Sequence, residues 1–276
     1  MNHFILLLSS NDQPGIVHQL TGLLVDMGAN IVHADQHSTN LNNGQFFIRL
    51  EFVVSANLSD IESTLADLKQ TLNADIYLYD RYQPLPCSIF VSKEDHCLQE
   101  LLYQWASGEL NVDIQSIVSN HDDYQDLADW YKVPFHYVNY DSKEAAERQL
   151  LSLTESTSVI IMARFMQILS NDFLTAFKRP VINIHHSFLP SFKGAKPYHQ
   201  AFERGVKLIG ATAHFATPDL DEGPIITQHV QPVTHRDHVD DLKALGRRLE
   251  KQTLVEAVQK MAEHRVIIDQ QKTIVF

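Results

Sequence analysis

The chain has 276 residues, of which 44% are hydrophobic and 20% charged, so it is long enough for two domains with real cores. Its formal net charge of −12 at pH 7 argues against nucleic acids and membranes as partners, because both favour surfaces rich in Lys and Arg. Cys87 and Cys97 are its two cysteines and form no CxxC motif. We therefore expect no disulfide framework and a cytoplasmic location.

Residues 1–80 show the pattern of a small α/β domain. The predicted elements are a strand at Phe4–Leu8, a helix from Ile16 to Met27, strands at Ile31–Ala34 and Phe46–Phe52, a helix along Ile61–Leu72 and a strand at Ile76–Tyr79. Asn42-Asn43-Gly44 predicts the turn of the central hairpin, and Ser59 with Glu62 predicts a capping box. This β-α-β-β-α-β order indicates a ferredoxin-like sandwich of two helices on one antiparallel sheet.

The turn between the first strand and the first helix carries a further signal. Residues 11–17 read Asn-Asp-Gln-Pro-Gly-Ile-Val, which resembles the corresponding turn of ACT domains, small modules that bind amino acids and regulate attached enzymes. A helix N-terminus suits a carboxylate because its first N–H groups have no partner within the helix. The residues expected at such an effector site are Asp12, Pro14, Gly15 and Ile16. The resemblance also implies a homo-oligomer, whereas the simpler alternative is a domain that only assists folding or dimerisation.

A second domain is predicted at 87–276, after a linker at 81–86 that contains two prolines. Short apolar strands alternate there with helices, which predicts a Rossmann-like domain with a mostly parallel sheet covered on both faces. The predicted strands are Ser88–Val91, Asp113–Val118, Phe135–Tyr137, Val159–Met162, Val181–Ile184, Gly210–Phe215 and Ile225–Thr227. The predicted helices include Leu98–Trp105, Lys143–Leu153 and Val239–Ala262. Ligands of such sheets bind beyond the carboxyl ends of the strands.

Polar side chains end the apolar strand that begins at Val181. Asn183 and His185 are two residues apart, so on an extended backbone they point the same way. An amide and an imidazole side by side can hold a carbonyl oxygen that becomes negative, although such a pair often only satisfies backbone groups. The acidic loop with Asp219, Asp221 and Glu222 can supply a general base, and by itself it would be a solvated turn.

Several motifs occur together in an order typical of one enzyme family. Asn183-Ile184-His185 is followed by residues 187–194, which read Ser-Phe-Leu-Pro-Ser-Phe-Lys-Gly, and later by His214-Phe215 with residues 219–223. Residues 163–170, Ala-Arg-Phe-Met-Gln-Ile-Leu-Ser, precede them. This set resembles the folate-dependent formyltransferase family across residues 86–230. The resemblance implies a folate substrate that carries a formyl group on N10.

The resemblance also implies roles for individual residues. Asn183 and His185 would be the catalytic pair and Asp221 the catalytic aspartate, with His214 close to that aspartate. Asp219 would be the less favoured base. The residues expected to hold the folate are Met166, Gln167, Ile168 and Leu169 on one side and Thr217, Asp219 and Leu220 on the other.

The turn after the first strand of the second domain separates the members of this family. Residues 91–98 contain no glycine and two added carboxylates, Glu94 and Asp95, whereas a phosphate-bearing acceptor needs a glycine-rich turn without negative charge. The tRNA-dependent member carries a basic extension, and this chain is acidic. Water remains as the acceptor.

The expected reaction is therefore hydrolysis of 10-formyltetrahydrofolate to tetrahydrofolate and formate. This reaction would supply formate for purine synthesis and balance one-carbon pools. The alternatives are formyl transfer to a small acceptor and a non-catalytic amino-acid sensor.

The chain contains 15 histidines, which raises a zinc hydrolase as a rival class. The sequence has no HExxH motif. His185-His186 is suggestive by composition alone, and adjacent residues on a strand face opposite ways. We therefore expect no metal and no cofactor besides the folate substrate.

Overall fold

The computed structural model describes residues 1–40, 44–191 and 197–276 and divides the chain into two units. The first unit comprises Met1–Gln83, Glu263–Ile267 and Ile274–Phe276, and the second comprises Pro84–Ala262 and Ile268–Thr273. The predicted ranges placed everything from residue 87 onward in the second domain. Two short C-terminal pieces group instead with the first unit.

The first unit is built on a four-stranded antiparallel sheet with two helices. Its elements are β1 (Asn2–Asn11), α1 (Ile16–Asp26), β2 (Asn30–Ser38), β3 (Gln45–Val54), α2 (Leu58–Leu72) and β4 (Asp75–Asp80). The strand order is β2-β3-β1-β4, and each neighbouring pair is antiparallel. The predicted β-α-β-β-α-β sandwich is confirmed. Asn42 and Asn43 of the predicted hairpin turn lie outside the described residues.

The core of this unit follows from the periodicity of its apolar residues. Alternate residues of β1 and β3 share one face of the sheet, because side chains along a strand point to opposite sides. Residues three or four apart on α1 and α2 pack against that face. The buried residues of this core include Phe4, Leu6, Leu8, Ile16, Leu20, Leu24, Phe46, Ile48, Leu50, Phe52, Ile61, Leu65, Leu68 and Leu72.

The first turn of α2 differs from the predicted one. Asn57 is the N-cap, and its Oδ1 accepts hydrogen bonds from the backbone N–H of Asp60 at 3.0 Å and from the Ser59 hydroxyl at 2.7 Å. An amide oxygen at the residue before the helix reaches the third N–H of the first turn. Ser59 lies inside the helix, so the predicted capping box of Ser59 and Glu62 is wrong.

A buried arginine on β3 holds one C-terminal piece in the first unit. Arg49 is 4% exposed, and its Nε and Nη2 donate to the carbonyls of His264 at 3.2 Å and Glu263 at 3.0 Å. Burial lowers the pKa of Arg49, and the Glu51 carboxylate at 3.3 Å opposes that shift. The His264 ring stacks on Tyr79 with centroids 3.6 Å apart. These contacts explain why residues 263–267 group with the first unit.

The second unit is a seven-stranded sheet with helices between its strands. Its elements are β5 (Leu85–Val91), α3 (His96–Ala106), β6 (Val112–Ser119), α4 (Gln125–Tyr131), β7 (Phe135–Tyr137), α5 (Lys143–Leu153), β8 (Val159–Met162), α6 (Asn171–Phe177), β9 (Val181–His185), α7 (Pro197–Arg204), β10 (Leu208–Phe215), β11 (Ile225–Pro232) and α8 (Val239–Ala262). The chain then forms a two-stranded sheet from β12 (Val266–Asp269) and β13 (Lys272–Val275).

The order of the large sheet is β11-β10-β9-β8-β5-β6-β7. Within the run β9-β8-β5-β6-β7, each neighbouring pair of strands is parallel. Strand β10 is antiparallel to both β9 and β11. The predicted mostly parallel sheet is confirmed. The β9–β10 register sets His214 opposite Asn183 and Thr212 opposite His185, so these four side chains share one face.

The predicted linker at 81–86 overlaps β5, which starts at Leu85. Pro86 is aligned with Asp113 of β6, and its carbonyl accepts the Ser158 N–H at 2.9 Å. Proline lacks the N–H that a ladder needs, and the start of a strand is where that loss is tolerated.

Helix α8 spans 24 residues and brings a buried carboxylate into the second unit. Glu250 is 2% exposed, on the face of α8 that also buries Leu249, Leu254 and Val258. None of the described helices combines the length and the apolar character that crossing a lipid bilayer requires.

Candidate active site

A pocket of about 610 Å³ opens where β8 and β9 end. The predicted site residues that line it are Met166, Gln167, Ile168, Leu169, Asn183, His185, His214, Thr217, Leu220 and Asp221. Asp219, also expected to hold the folate, is not part of the described pocket wall. Its side chain is exposed, while its carbonyl accepts the Thr217 hydroxyl at 2.9 Å and helps to shape the loop.

The polar centre of the pocket is a carboxylate between two imidazoles. Asp221 Oδ2 lies 3.2 Å from His185 Nδ1, and Asp221 Oδ1 lies 3.6 Å from His214 Nε2. Asn183 Nδ2 lies 3.2 Å from the same His214 nitrogen. Four residues from three segments of the chain therefore converge on one point.

The backbone at Asp221 adopts a conformation that few residue types accept. Its φ is +58°, in the left-handed region, where Asp and Asn are the most tolerated residues after glycine. Two residues later, a Cβ on Gly223 would meet the Phe215 carbonyl oxygen at 1.8 Å, so the loop needs glycine there. Unusual backbone of this kind is concentrated at functional sites.

The surroundings of Asp221 favour its ionised form. Burial raises the pKa of this carboxyl, but the hydrogen bonds and positive charge of His185 and His214 outweigh that effect and lower the pKa well below its usual range. A carboxylate can only accept hydrogen bonds, so Nδ1 of His185 carries a proton. The other nitrogen, Nε2, is buried and finds no hydrogen-bond partner among the described residues. A buried nitrogen without a partner is a position at which a substrate atom can bind.

His214 connects the amide to the aspartate. Its Nδ1 donates to the Phe215 carbonyl at 2.9 Å, which leaves Nε2 directed toward Asn183 and Asp221. A neutral ring accepts the Asn183 amide proton at Nε2, and a protonated ring faces the Asp221 carboxylate. Since the Asn183 amide has two N–H groups, the second remains available to a ligand.

His186 also lines the pocket, contrary to the expectation that adjacent histidines face opposite ways. Its ring stacks on that of His185 with centroids 5.0 Å apart and an interplanar angle of 19°. The alternation of side chains applies within a strand, and β9 ends at His185. His186 is thus one of the polar lining residues that were not predicted as site residues, together with Arg164, Tyr198, His199 and Lys243.

A cluster deeper in the second unit holds three groups of metal-ligand type. One ligand atom from each of His96, Cys97 and Glu250 lies within 4.8 Å of the others. Arg164 Nε is 3.4 Å from Glu250 Oε2, so the carboxylate already faces a cation. Burial, with Glu250 nearby, raises the pKa of the Cys97 thiol well above its usual value, whereas metals bind the thiolate. In this structure Arg164 is thus the cationic partner of Glu250.

The predicted effector site forms a second pocket, of about 540 Å³, in the first unit. Asp12, Gly15 and Ile16 line it together with residues of β2 and β3, whereas Pro14 does not belong to the described lining. Gly15 precedes α1 with φ +93° and has no side chain with which to cap the helix. The first N–H groups of α1, beside the pocket that Gly15 and Ile16 line, therefore have no side-chain acceptor from the N-cap.

Comparison with known proteins agrees with this fold. The model of the formyl transferase family matches residues 87–258, and that of the ACT domain matches residues 4–73. The fold and the site thus define a member of the formyl transferase family with an N-terminal ACT domain. Comparison with individual relatives shows to which group within this family the chain belongs.

A formyltetrahydrofolate deformylase of Bacillus subtilis is 44% identical over 98% of this chain and 93% of its own length. One from Synechocystis is 43% identical over 98% of this chain and 97% of its own length. The crystal structure of a formyltetrahydrofolate deformylase from Burkholderia mallei is 40% identical, covers 100% of both chains and superimposes with a TM-score of 0.95. Within the formyl transferase family, the chain belongs with the formyltetrahydrofolate deformylases.

Proposed function

We propose that this protein hydrolyses 10-formyltetrahydrofolate to tetrahydrofolate and formate. The observation that carries the proposal is the His185–Asp221 pair, at 3.2 Å, whose buried Nε2 has no described partner and lies at a pocket large enough for a pterin. The relatives that match over nearly the full chain carry the name of this activity.

Three apolar side chains in the pocket wall support a flat aromatic ligand. Met166, Ile168 and Leu220 are 59%, 56% and 56% exposed. Apolar side chains left this open at a pocket are covered when a ligand binds, which favours binding through the hydrophobic effect. We infer that the pterin ring lies between the 166–169 segment and the loop residues Thr217 and Leu220.

The chemistry uses the polar centre beside that ring. Asp221 takes a proton from water, and the oxygen of that water attacks the formyl carbon on N10. His185 and the free Asn183 N–H stabilise the negative oxygen of the tetrahedral intermediate. The C–N bond then breaks, N10 receives a proton, and formate leaves. These steps need side chains and water alone, so we propose that no cofactor takes part.

The turn after β5 favours water over a phosphate-bearing acceptor. Glu94 and Asp95 lie immediately before α3, whose N-terminus would otherwise attract an anion. Two carboxylates at that point repel a phosphate. Formyl transfer to an uncharged small acceptor is the second candidate function, and it predicts turnover that depends on adding that acceptor.

The test is incubation of the purified protein with 10-formyltetrahydrofolate alone. We expect formate and tetrahydrofolate to appear in equal amounts, measured by a coupled formate assay and by folate absorbance. The rate should survive prior treatment with a chelator, because the proposed steps use no metal. Absence of formate without an added amine would contradict hydrolysis and support the transferase alternative.

We further propose that the ACT domain binds a small amino acid through its carboxylate at the start of α1. Titration calorimetry with glycine, alanine and serine should detect binding, whereas ethanolamine, which has the amine but no carboxylate, should not bind. The physical reason is that helix N–H groups recognise the anion. Equal binding of ethanolamine would contradict this site.

We also propose an oligomeric state, a location and a metabolic role. The nine-residue edge strand β2 is largely exposed and offers unpaired backbone groups to a second copy, which supports a homo-oligomer. The two buried free thiols, Cys87 and Cys97, suit the reducing cytoplasm. The released formate would supply purine synthesis and help to balance one-carbon pools.

A further inference from the structure

A line of charged and polar side chains runs from the pocket into the interior of the second unit, and the steps proposed above do not use it. Arg164 follows β8 and has a positive φ of +66°. Its Nε lies 3.4 Å from Glu250 Oε2, and its Nη1 donates to His186 Nδ1. One guanidinium thus joins a buried carboxylate to a histidine of the pocket wall.

The carboxylate at the inner end of this line is ionised. Glu250 is 2% exposed, and it accepts hydrogen bonds from His96 Nε2 at 2.8 Å and from the Tyr198 hydroxyl at 2.7 Å. Burial raises the pKa of Glu250, but these hydrogen bonds and the Arg164 charge outweigh it and lower the pKa. Burying such a pair gives little net stability, because desolvation offsets the attraction between the charges. Its presence beside the pocket therefore calls for a role other than stability.

The arginine determines which nitrogen of His186 carries the proton. A guanidinium has donors and no acceptor, so Nδ1 of His186 must accept and the proton lies on Nε2. Burial and the positive charge of Arg164 lower the pKa of His186 to about 4. The ring is thus neutral, in one tautomer and stacked on His185.

We propose that Arg164 is a positioning residue for the hydrolysis, holding the His186 ring flat against His185 so that His185 Nδ1 meets Asp221 and Nε2 faces the pocket. This inference rests on the function proposed above.

The physical reason concerns the charge that develops on His185. A cationic or strongly donating His185 imidazole stabilises the oxyanion best. A positive charge on the stacked His186 ring would disfavour the cationic form of His185. Arg164 keeps His186 neutral while the Glu250 carboxylate balances the guanidinium. Misplacing a catalytic group by about 1 Å costs on the order of 10²-fold in rate, so the stacking of His186 on His185 should affect the rate of hydrolysis.

The test compares Arg164→Met and Arg164→Lys with Arg148→Met, which removes an exposed arginine on α5. Arg164→Met should lower kcat about tenfold to hundredfold, with a much smaller change in KM, because the polar contacts of the guanidinium are made to His186 and Glu250. Arg164→Lys keeps the charge and should fall between wild type and Arg164→Met. Arg148→Met should behave as wild type. An Arg164→Met enzyme with unchanged kcat would overturn the proposal.

The pH profile separates positioning from a merely structural role. The charged and titratable groups that face His186 are Arg164, His185, Tyr198, Asp221 and Glu250. Removing the Arg164 cation raises the pKa of His186, so the acid limb of kcat should move to higher pH in Arg164→Met. In a His186→Asn background, whose amide oxygen still accepts but cannot titrate, the same change should leave the acid limb in place. A shift that persists in that background would overturn the role assigned to His186.

Imidazole ¹⁵N spectra test the inference even if the hydrolysis itself is wrong. The wild type should show His186 as one neutral tautomer with the proton on Nε2, whether or not formate is released. Arg164→Met should show mixed tautomers and titration at a higher pH. Identical His186 spectra in the two proteins would contradict the proposal, whereas failure of wild type to release formate would contradict the proposed function alone.

Discussion

Asp221→Asn is expected to lower kcat for formate release by about 10²–10⁴-fold, because the amide cannot take a proton from water. The folded structure should remain, since asparagine tolerates the left-handed backbone that Asp221 adopts at φ +58°. The variant also keeps a side-chain oxygen that can accept from His185 at the present 3.2 Å. The expected loss is therefore chemical and does not arise from unfolding.

A matched control lies in the same loop. Asp219→Asn removes an equal charge from an exposed side chain that is not part of the described pocket wall, so its activity should stay close to that of wild type. Single-turnover formate release and the thermal midpoint, measured for both variants, separate the two effects. Activity of Asp221→Asn within tenfold of wild type would contradict its assignment as the base.

The second large effect is expected for His185→Ala, which should lose about 10²–10³-fold in kcat. The substitution removes the nitrogen that faces the pocket without a described partner. It also removes the largest influence that lowers the pKa of Asp221, so that pKa should rise. The acid limb of the residual activity should then lie at higher pH than in wild type.

Added imidazole tests whether the missing ring, and not a disturbed fold, causes this loss. It should restore part of the activity of His185→Ala by occupying the vacated space. His235→Ala, at an exposed histidine outside the pocket, serves as control and should show wild-type rates with no response to imidazole. A His185→Ala enzyme with near wild-type kcat would remove the imidazole from the mechanism.

Most of the fold could be predicted because its strands are short apolar runs with clear ends. The structure extends the predicted strands by one to three residues at most of their ends, as for Val181–His185 against the predicted Val181–Ile184. Helices were expected between the strands, but no bounds were predicted for α4, α6 and α7, since seven or eight residues make about two turns and show too little periodicity. The capping of α2 was misread because Asn57 and Ser59 are both good N-cap residues.

Some residues of the site could be predicted from the sequence, whereas others are recognised only by contacts between distant parts of the chain. Strand spacing explains why Asn183 and His185 share a face, and the family resemblance led to Asp221 and His214. No local pattern reveals Glu250, because α8 surrounds it with Arg247, Arg248 and Lys251 and so looks like a solvated helix face. A buried carboxylate of this kind becomes visible when Arg164, from a different part of the chain, is seen beside it.

The first unit contains segments from both ends of the chain, and this constrains the order in which the protein folds during synthesis. Arg49 is buried, and its guanidinium needs the carbonyls of Glu263 and His264, which follow the whole of α8 in the chain. Until those residues leave the ribosome, a buried cation lacks two of its acceptors, and closing the core around it is costly. The N-terminal ACT domain is therefore translated first, but the packing around Arg49 is completed only after Glu263 and His264 have been made.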